Sequence, residues 1–180
     1  LVRSGLLLFV VNSSLVMSFL LLPSSGAAHD IPSRVTVYAF VKPEGDQLTA
    51  LLRVPMEAFG EISFPLRGPG YLQFSEAEFA LNDAARVYIT ESIHFYENDV
   101  ELIDKELIAT RVSLPSNRSF TSYDDALENV LSPALDDDVN LFWRQGVLDV
   151  LITFKTVADN ICFITDLACF FKLLHNIDIK

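Results

Sequence analysis

The chain is short of cysteine, histidine and positive charge, and each shortage narrows what it can be. Its two cysteines, Cys162 and Cys169, stand near the C-terminus and form no C-x-x-C pair. On a helix they would lie two turns, roughly 10 Å, apart, too far for a disulfide. Of the three histidines, neither His94 nor His175 has metal-ligand spacing to another histidine or to a carboxylate pair on a shared helix face. His29 is the one candidate metal residue: as the first residue after a cleaved leader it would offer an amine and an imidazole to Cu(II). The glycines build no phosphate-cradling loop, because Gly68-Pro69-Gly70 is followed by neither Lys-Ser/Thr nor a helix start. No G-x-S-x-G elbow frames Ser116, Ser119 or Ser122, so hydrolase chemistry has no support. Thirteen basic against 24 acidic side chains give a formal net charge of −11, which argues against a nucleic-acid partner. The acid is spread along the chain, and Asp136, Asp137 and Asp138 read as a solvated surface run.

What is present begins with an apolar run at 6–22, preceded by Arg3 and followed by small residues including Gly26 and Ala28. This is the three-part pattern of a signal peptide, expected over 1–28, with an uncleaved membrane anchor as the alternative. The remainder, 51% hydrophobic across the whole chain, is rich enough in apolar residues for one domain with a real core, expected over 29–165. Residues 166–180 form a divergent or truncated tail.

Period-two alternation predicts strands at 34–41 and 47–54, joined through Pro43-Glu44-Gly45-Asp46, with Pro43 at the first central turn position and Gly45 left-handed. Short strands are expected at 62–66 and 71–74 around the Gly-Pro-Gly turn. At 106–114, Ile108, Thr110, Val112 and Leu114 should share one face, with Leu107, Ala109, Arg111 and Ser113 on the other. Residues 140–154 read as a central strand kinked at Gly146. Ser122 with Asp125 opens a short helix that Pro133 ends.

Helical spacing dominates at 82–98. Leu81, Ala84, Ala85, Tyr88, Ile89, Phe95 and Tyr96 fall in one stripe, with Arg86 and His94 on the polar arc. A break is expected near Ala80, since a helix continued from Ser75 would put Phe79 on that polar arc; Asn82 would cap the start and Asn98 the end. The fold class is therefore α+β, a mainly antiparallel sheet or sandwich packed against one long amphipathic helix. Trp143 is expected in the core, and Asn117-Arg118-Ser119 has the form of a glycosylation acceptor.

Several stretches carry a resemblance. His29-Asp30-Ile31-Pro32, Phe40-Val41-Lys42-Pro43-Glu44-Gly45, Arg53-Val54-Pro55, Phe64-Pro65-Leu66-Arg67-Gly68-Pro69-Gly70-Tyr71-Leu72, Ser113-Leu114-Pro115-Ser116-Asn117-Arg118-Ser119-Phe120 and 143–150 resemble, in order, the N-terminal extracytoplasmic region of bacterial HupE/UreJ-like membrane proteins. The resemblance implies an exported, periplasmic-face, non-enzymatic domain that precedes membrane-embedded helices, in a permease or a hydrogenase or urease accessory protein moving a metal ion such as nickel. The family's histidine-and-aspartate membrane motif has no counterpart in these 180 residues, so no metal-site residue carries over and no cofactor is expected. The alternative reading is a free-standing secreted or periplasmic binding domain for a ligand or protein partner.

Overall fold

The computed structural model describes residues 35–156 in full and the backbone of 163–165 and 177–179. The chain divides at Asp30, and everything described belongs to the unit Ile31–Lys180. The expected leader, His29, His175 and both cysteines lie outside the described residues.

The architecture is α+β around a mainly antiparallel five-stranded sheet. Strand β1 (Val35–Glu44) forms a hairpin with β2 (Gln47–Pro55), as the alternation predicts. Glu44 faces Gln47, so the loop is the two-residue Gly45-Asp46 with Gly45 at φ 62°. A positive φ at the first of two loop residues suits the right-handed twist of the hairpin, and glycine adopts it without a Cβ penalty. Pro43 is not a turn residue; it lies within β1 opposite Leu48, on a stretch whose other edge has no described partner, so its missing N–H costs no ladder bond. The chain then forms β3 (Leu66–Arg67) and β4 (Tyr71–Leu72), the small hairpin around Gly68-Pro69-Gly70, both strands shorter than the alternation suggests.

A helix α1 (Phe74–Ala84) continues without interruption into a π-helical segment (Ala85–Thr90). After it come β5 (Phe95–Glu97), β6 (Val100–Glu101), β7 (Lys105–Ser113), α2 (Tyr123–Leu131), β8 (Val147–Lys155), β9 (Phe163–Thr165) and β10 (Ile177–Ile179). The main sheet runs β10-β1-β2-β8-β7, antiparallel except for β10, which pairs parallel to β1; β6, β5 and β9 form a smaller sheet. Thus three residues of the 166–180 segment pair with the edge of the main sheet.

The helix differs from the expected 82–98. It starts eight residues earlier, at Phe74, passes through Ala80 without a break, and is over by Thr90. Two physical reasons account for this. Phe79 does lie on the polar arc and stays 83% exposed, a cost the helix tolerates because single exposed apolar residues are ordinary. The start has no side-chain cap of its own; the Asp137 carboxylate, far away in sequence, accepts from the Ser75 backbone N–H at 3.1 Å and from Gln73 Nε2 at 2.7 Å. Asp137 is therefore a helix cap rather than a member of a purely solvated run. Asn82 sits mid-helix and accepts from the Thr110 hydroxyl at 2.7 Å.

Phe95 and Tyr96, assigned to the helix by spacing, belong to β5. Asn98 is left-handed as expected (φ 48°), but with Asp99 (φ 65°) it forms the two-residue turn between β5 and β6. Two consecutive positive φ values mark a type I′ turn, which Asn and Asp tolerate better than most residues.

The main sheet is covered on both faces, which is why β2 is buried along nearly its whole length. Leu48, Ala50, Leu52 and Val54 enter the larger core with Leu148, Val150, Ile152 and Phe154 of β8, beneath Ala77, Leu81, Ala84 and Ile89 of the helix. Phe95 stacks edge-on against Phe154 at 4.8 Å, closing this core from the small sheet. Leu51 and Leu151 point the other way, to a smaller cluster with Phe120, Ala126 and Val130 under α2. Strand β7 departs from simple alternation. A bulge between Leu107 and Ala109 leaves Ile108 45% exposed and puts Leu107 in the larger core with Val112, the face opposite to its expected one. Residues 140–146 are not strand: Trp143 lies on a 3-10 turn (Trp143–Gln145), and β8 begins only after Gly146.

Candidate functional site

The most concentrated chemistry lies on the α2 face of the sheet. Register places Tyr38, Arg53, Asp149 and Arg111 in one cross-strand row over β1, β2, β8 and β7. Alternation forces three of these charges inward. Arg53 and Asp149 share the face of Leu51 and Leu151, and Asp149 is fully buried while Arg53 is 6% exposed.

Burying two charges is tolerable only if they are paired and hydrogen-bonded, and here they are both. Arg53 Nε donates to Asp149 Oδ1 at 2.6 Å and Nη2 to Oδ2 at 2.7 Å, the two-point geometry that suits guanidinium and carboxylate. Asp149 Oδ2 also accepts from the Ser113 hydroxyl and from Asn129 Nδ2, each at 2.7 Å. On the other side of the guanidinium, Nη1 donates to the Asn117 carbonyl at 2.8 Å, and Nη2 to Asn117 Oδ1 and Ser119 Oγ at 3.0 Å. The Phe120 ring stacks against the guanidinium, 4.4 Å from its Cζ.

Arg111 completes the row. Its Nη1 donates to Ser113 Oγ and Asn129 Oδ1, and its Nε to the Pro133 carbonyl. Burial pulls its pKa down from the ordinary arginine value; Asp149 opposes that shift and Arg53 adds to it. Asn129 joins Ser113, Asp149, Arg111 and Asn117, so α2 is fastened to the sheet by polar contacts as well as by Ala126 and Val130. The helix itself is capped by Ser122, whose hydroxyl oxygen accepts from the Asp125 N–H at 3.2 Å, as the sequence predicts.

Beside this network lies a half-open cleft of about 250 Å³, walled by Tyr38, Arg53, Pro55, Phe120 and the loop carrying Arg118 and Thr121. It occupies the end of the α2 face that α2 does not reach.

The residues singled out from sequence are dispersed. His94 is not on the helix; it follows it and pairs through Nδ1 with Glu101 of β6. Ser119 and Ser122 serve as a network ligand and a helix cap, respectively. Trp143 is half-buried against Phe64, with Arg144 over its ring. Asn117, the acceptor of the glycosylation pattern, spends its side-chain amide on Asn129. Among the described residues no three His, Cys, Asp or Glu side chains are grouped so as to hold a metal ion. Among them, too, no helix is long and apolar enough to cross a membrane.

The Arg53–Asp149 network was missed from sequence, although a signal for it exists. Arg53 in QLTALLRV and Asp149 in GVLDVLITF are opposite charges, each embedded in a strand too apolar to be half solvated. Two such charges demand a partner, and each is the other's best candidate. Compared with family models, curated proteins and solved structures, the chain matches none.

Proposed function

We propose that residues 29–165 form the extracytoplasmic domain of a HupE/UreJ-like integral membrane protein, a non-enzymatic module serving a permease or accessory protein whose cargo is a metal ion such as nickel. Membrane-embedded helices of the same protein are its partner, and the apolar run at 6–22 is its export signal. The observation that carries this reading is the convergence of the segments bearing the resemblance. Arg53-Val54-Pro55, the 113–120 segment and the 143–150 segment are far apart in sequence, yet Arg53, Ser113, Asn117, Ser119 and Asp149 meet in one hydrogen-bonded cluster. Stretches that recur together for a structural reason should meet in this way. The cluster's role is to lock the 113–120 loop and α2 onto the sheet, giving a rigid platform outside the membrane. The test is the genomic sequence downstream of codon 180: several apolar spans of about 20 residues are expected in some frame. Their absence in every frame contradicts the reading.

A further inference from the structure

We propose that the cleft beside Arg53 is a binding site for a small carboxylate with a flat apolar body. The first support is electrostatic. In a chain of net charge −11, the described residues that wall the cleft include two arginines, Arg53 and Arg118, and no aspartate or glutamate, although the backbone of Asp178 in β10 pairs opposite Thr36 at its edge. Asp149, which neutralises Arg53, is fully buried beneath it and presents nothing to the cleft's solvent side. Arg118 is exposed, and its guanidinium makes no hydrogen bond or ion pair among the described residues. A carboxylate is therefore attracted here, whereas most of the surface repels it.

The second support is the state of Arg53. Three acceptors share its two Nη2 hydrogens, Nε is committed to Asp149, and Nη1 has a single acceptor, the Asn117 carbonyl. One Nη1 hydrogen is left for a ligand or solvent. The guanidinium that holds it is fixed by Asp149, Asn117, Ser119 and the Phe120 ring, so a ligand need not order it. Such preorganised donors bind at low entropic cost.

The third support is shape and lining. Tyr38, Pro55 and Phe120 give flat apolar walls, while the Thr121 hydroxyl at the rim spends its hydrogen on the Arg118 carbonyl at 2.9 Å. The volume, about 250 Å³, falls below the roughly 300–1,000 Å³ usual for drug-sized ligands, which selects something of amino-acid or benzoate size. The inference holds whether or not membrane helices follow the domain, so it stands apart from the functional reading above.

Titration of the isotopically labelled chain with benzoate, followed by amide NMR shifts, tests it. Benzoate is expected to move the amides of Asn117 to Thr121 and of Thr36 to Tyr38, while neutral benzamide does not. Arg118→Gln should weaken benzoate binding by about tenfold with the amide spectrum otherwise unchanged, because among the described residues only the Arg118 carbonyl, not its side chain, makes hydrogen bonds. Arg118→Glu provides a second variant and should abolish the benzoate-induced shifts, because it sets a like charge at the rim of the cleft. Shifts that fall elsewhere, equal binding of benzamide, or undiminished affinity in Arg118→Gln overturn the proposal.

Discussion

Arg53 and Asp149, 96 residues apart in sequence, face each other directly across β2 and β8 and close a two-point ion pair at 2.6 and 2.7 Å inside the sheet's α2 face. Removing one partner leaves the other charged and buried. Asp149→Leu should therefore cost about 3–5 kcal/mol, and the double change Arg53→Met with Asp149→Leu should cost clearly less than the two single changes summed. Urea denaturation midpoints of the four proteins in the cycle measure this; additive losses would mean the pair is not coupled.

The helix makes a sharper claim about faces. Ile89 is fully buried in the larger core, whereas Phe79 is 83% exposed. Ile89→Ala should cost about 2–5 kcal/mol, while Phe79→Ser should stay within about 0.5. Tyr88, expected in the interior, is half-buried, with its ring edge-on to Phe59 and its hydroxyl donating to Glu61 at 3.4 Å. Its truncation should fall between those two. Thermal denaturation of the three variants gives the order directly, and a large loss from Phe79→Ser would show that the helix had been rotated.

Much of this was legible in the sequence because burial imposes periodicity. The β1–β2 hairpin, the Gly-Pro-Gly turn and α2 with its Ser122 cap all followed from spacing. The helix boundaries did not, because the rule that apolar residues sit inside works in one direction only, and Phe79 is an exception that rule allows. Leu107 was placed on the wrong face because a one-residue bulge inverts the alternation beyond it. The α1 cap was invisible for another reason: Asp137 reaches it through the fold, and no local motif encodes that contact. The same holds for the polar cluster, whose members lie on three strands, a loop and a helix.

The β5–β6 turn yields a test of backbone strain. Asp99 holds φ at 65°, a conformation that a β-branched residue resists. Asp99→Val should destabilise by about 1–2 kcal/mol, and Asp99→Gly should be neutral or mildly stabilising. The comparison can be read from guanidinium midpoints, and equal effects of the two changes would mean the turn is not type I′.

The Asp137 cap predicts a pH dependence. Hydrogen bonds from the Ser75 hydroxyl and amide hold its pKa below the ordinary 3.8. A carboxylate with a depressed folded pKa contributes stability that is complete above its unfolded value and is lost as pH falls through the folded one. Asp137→Asn should lower stability at neutral pH and flatten the acid limb of the stability curve below about 3.8. Parallel curves for the two proteins from pH 6 to pH 2.5 would exclude Asp137 as the cap.

The central claim, an extracytoplasmic domain held at a membrane by helices of its own protein, is tested most directly by fractionating cells that carry the gene at its native locus. Antibody against residues 35–156 should recover the product only with membranes, and protease added to spheroplasts should destroy the epitope while cytoplasmic markers survive. A soluble extracytoplasmic pool would contradict the claim and favour a free-standing binding domain, and an epitope protected until the inner membrane is broken would contradict export altogether.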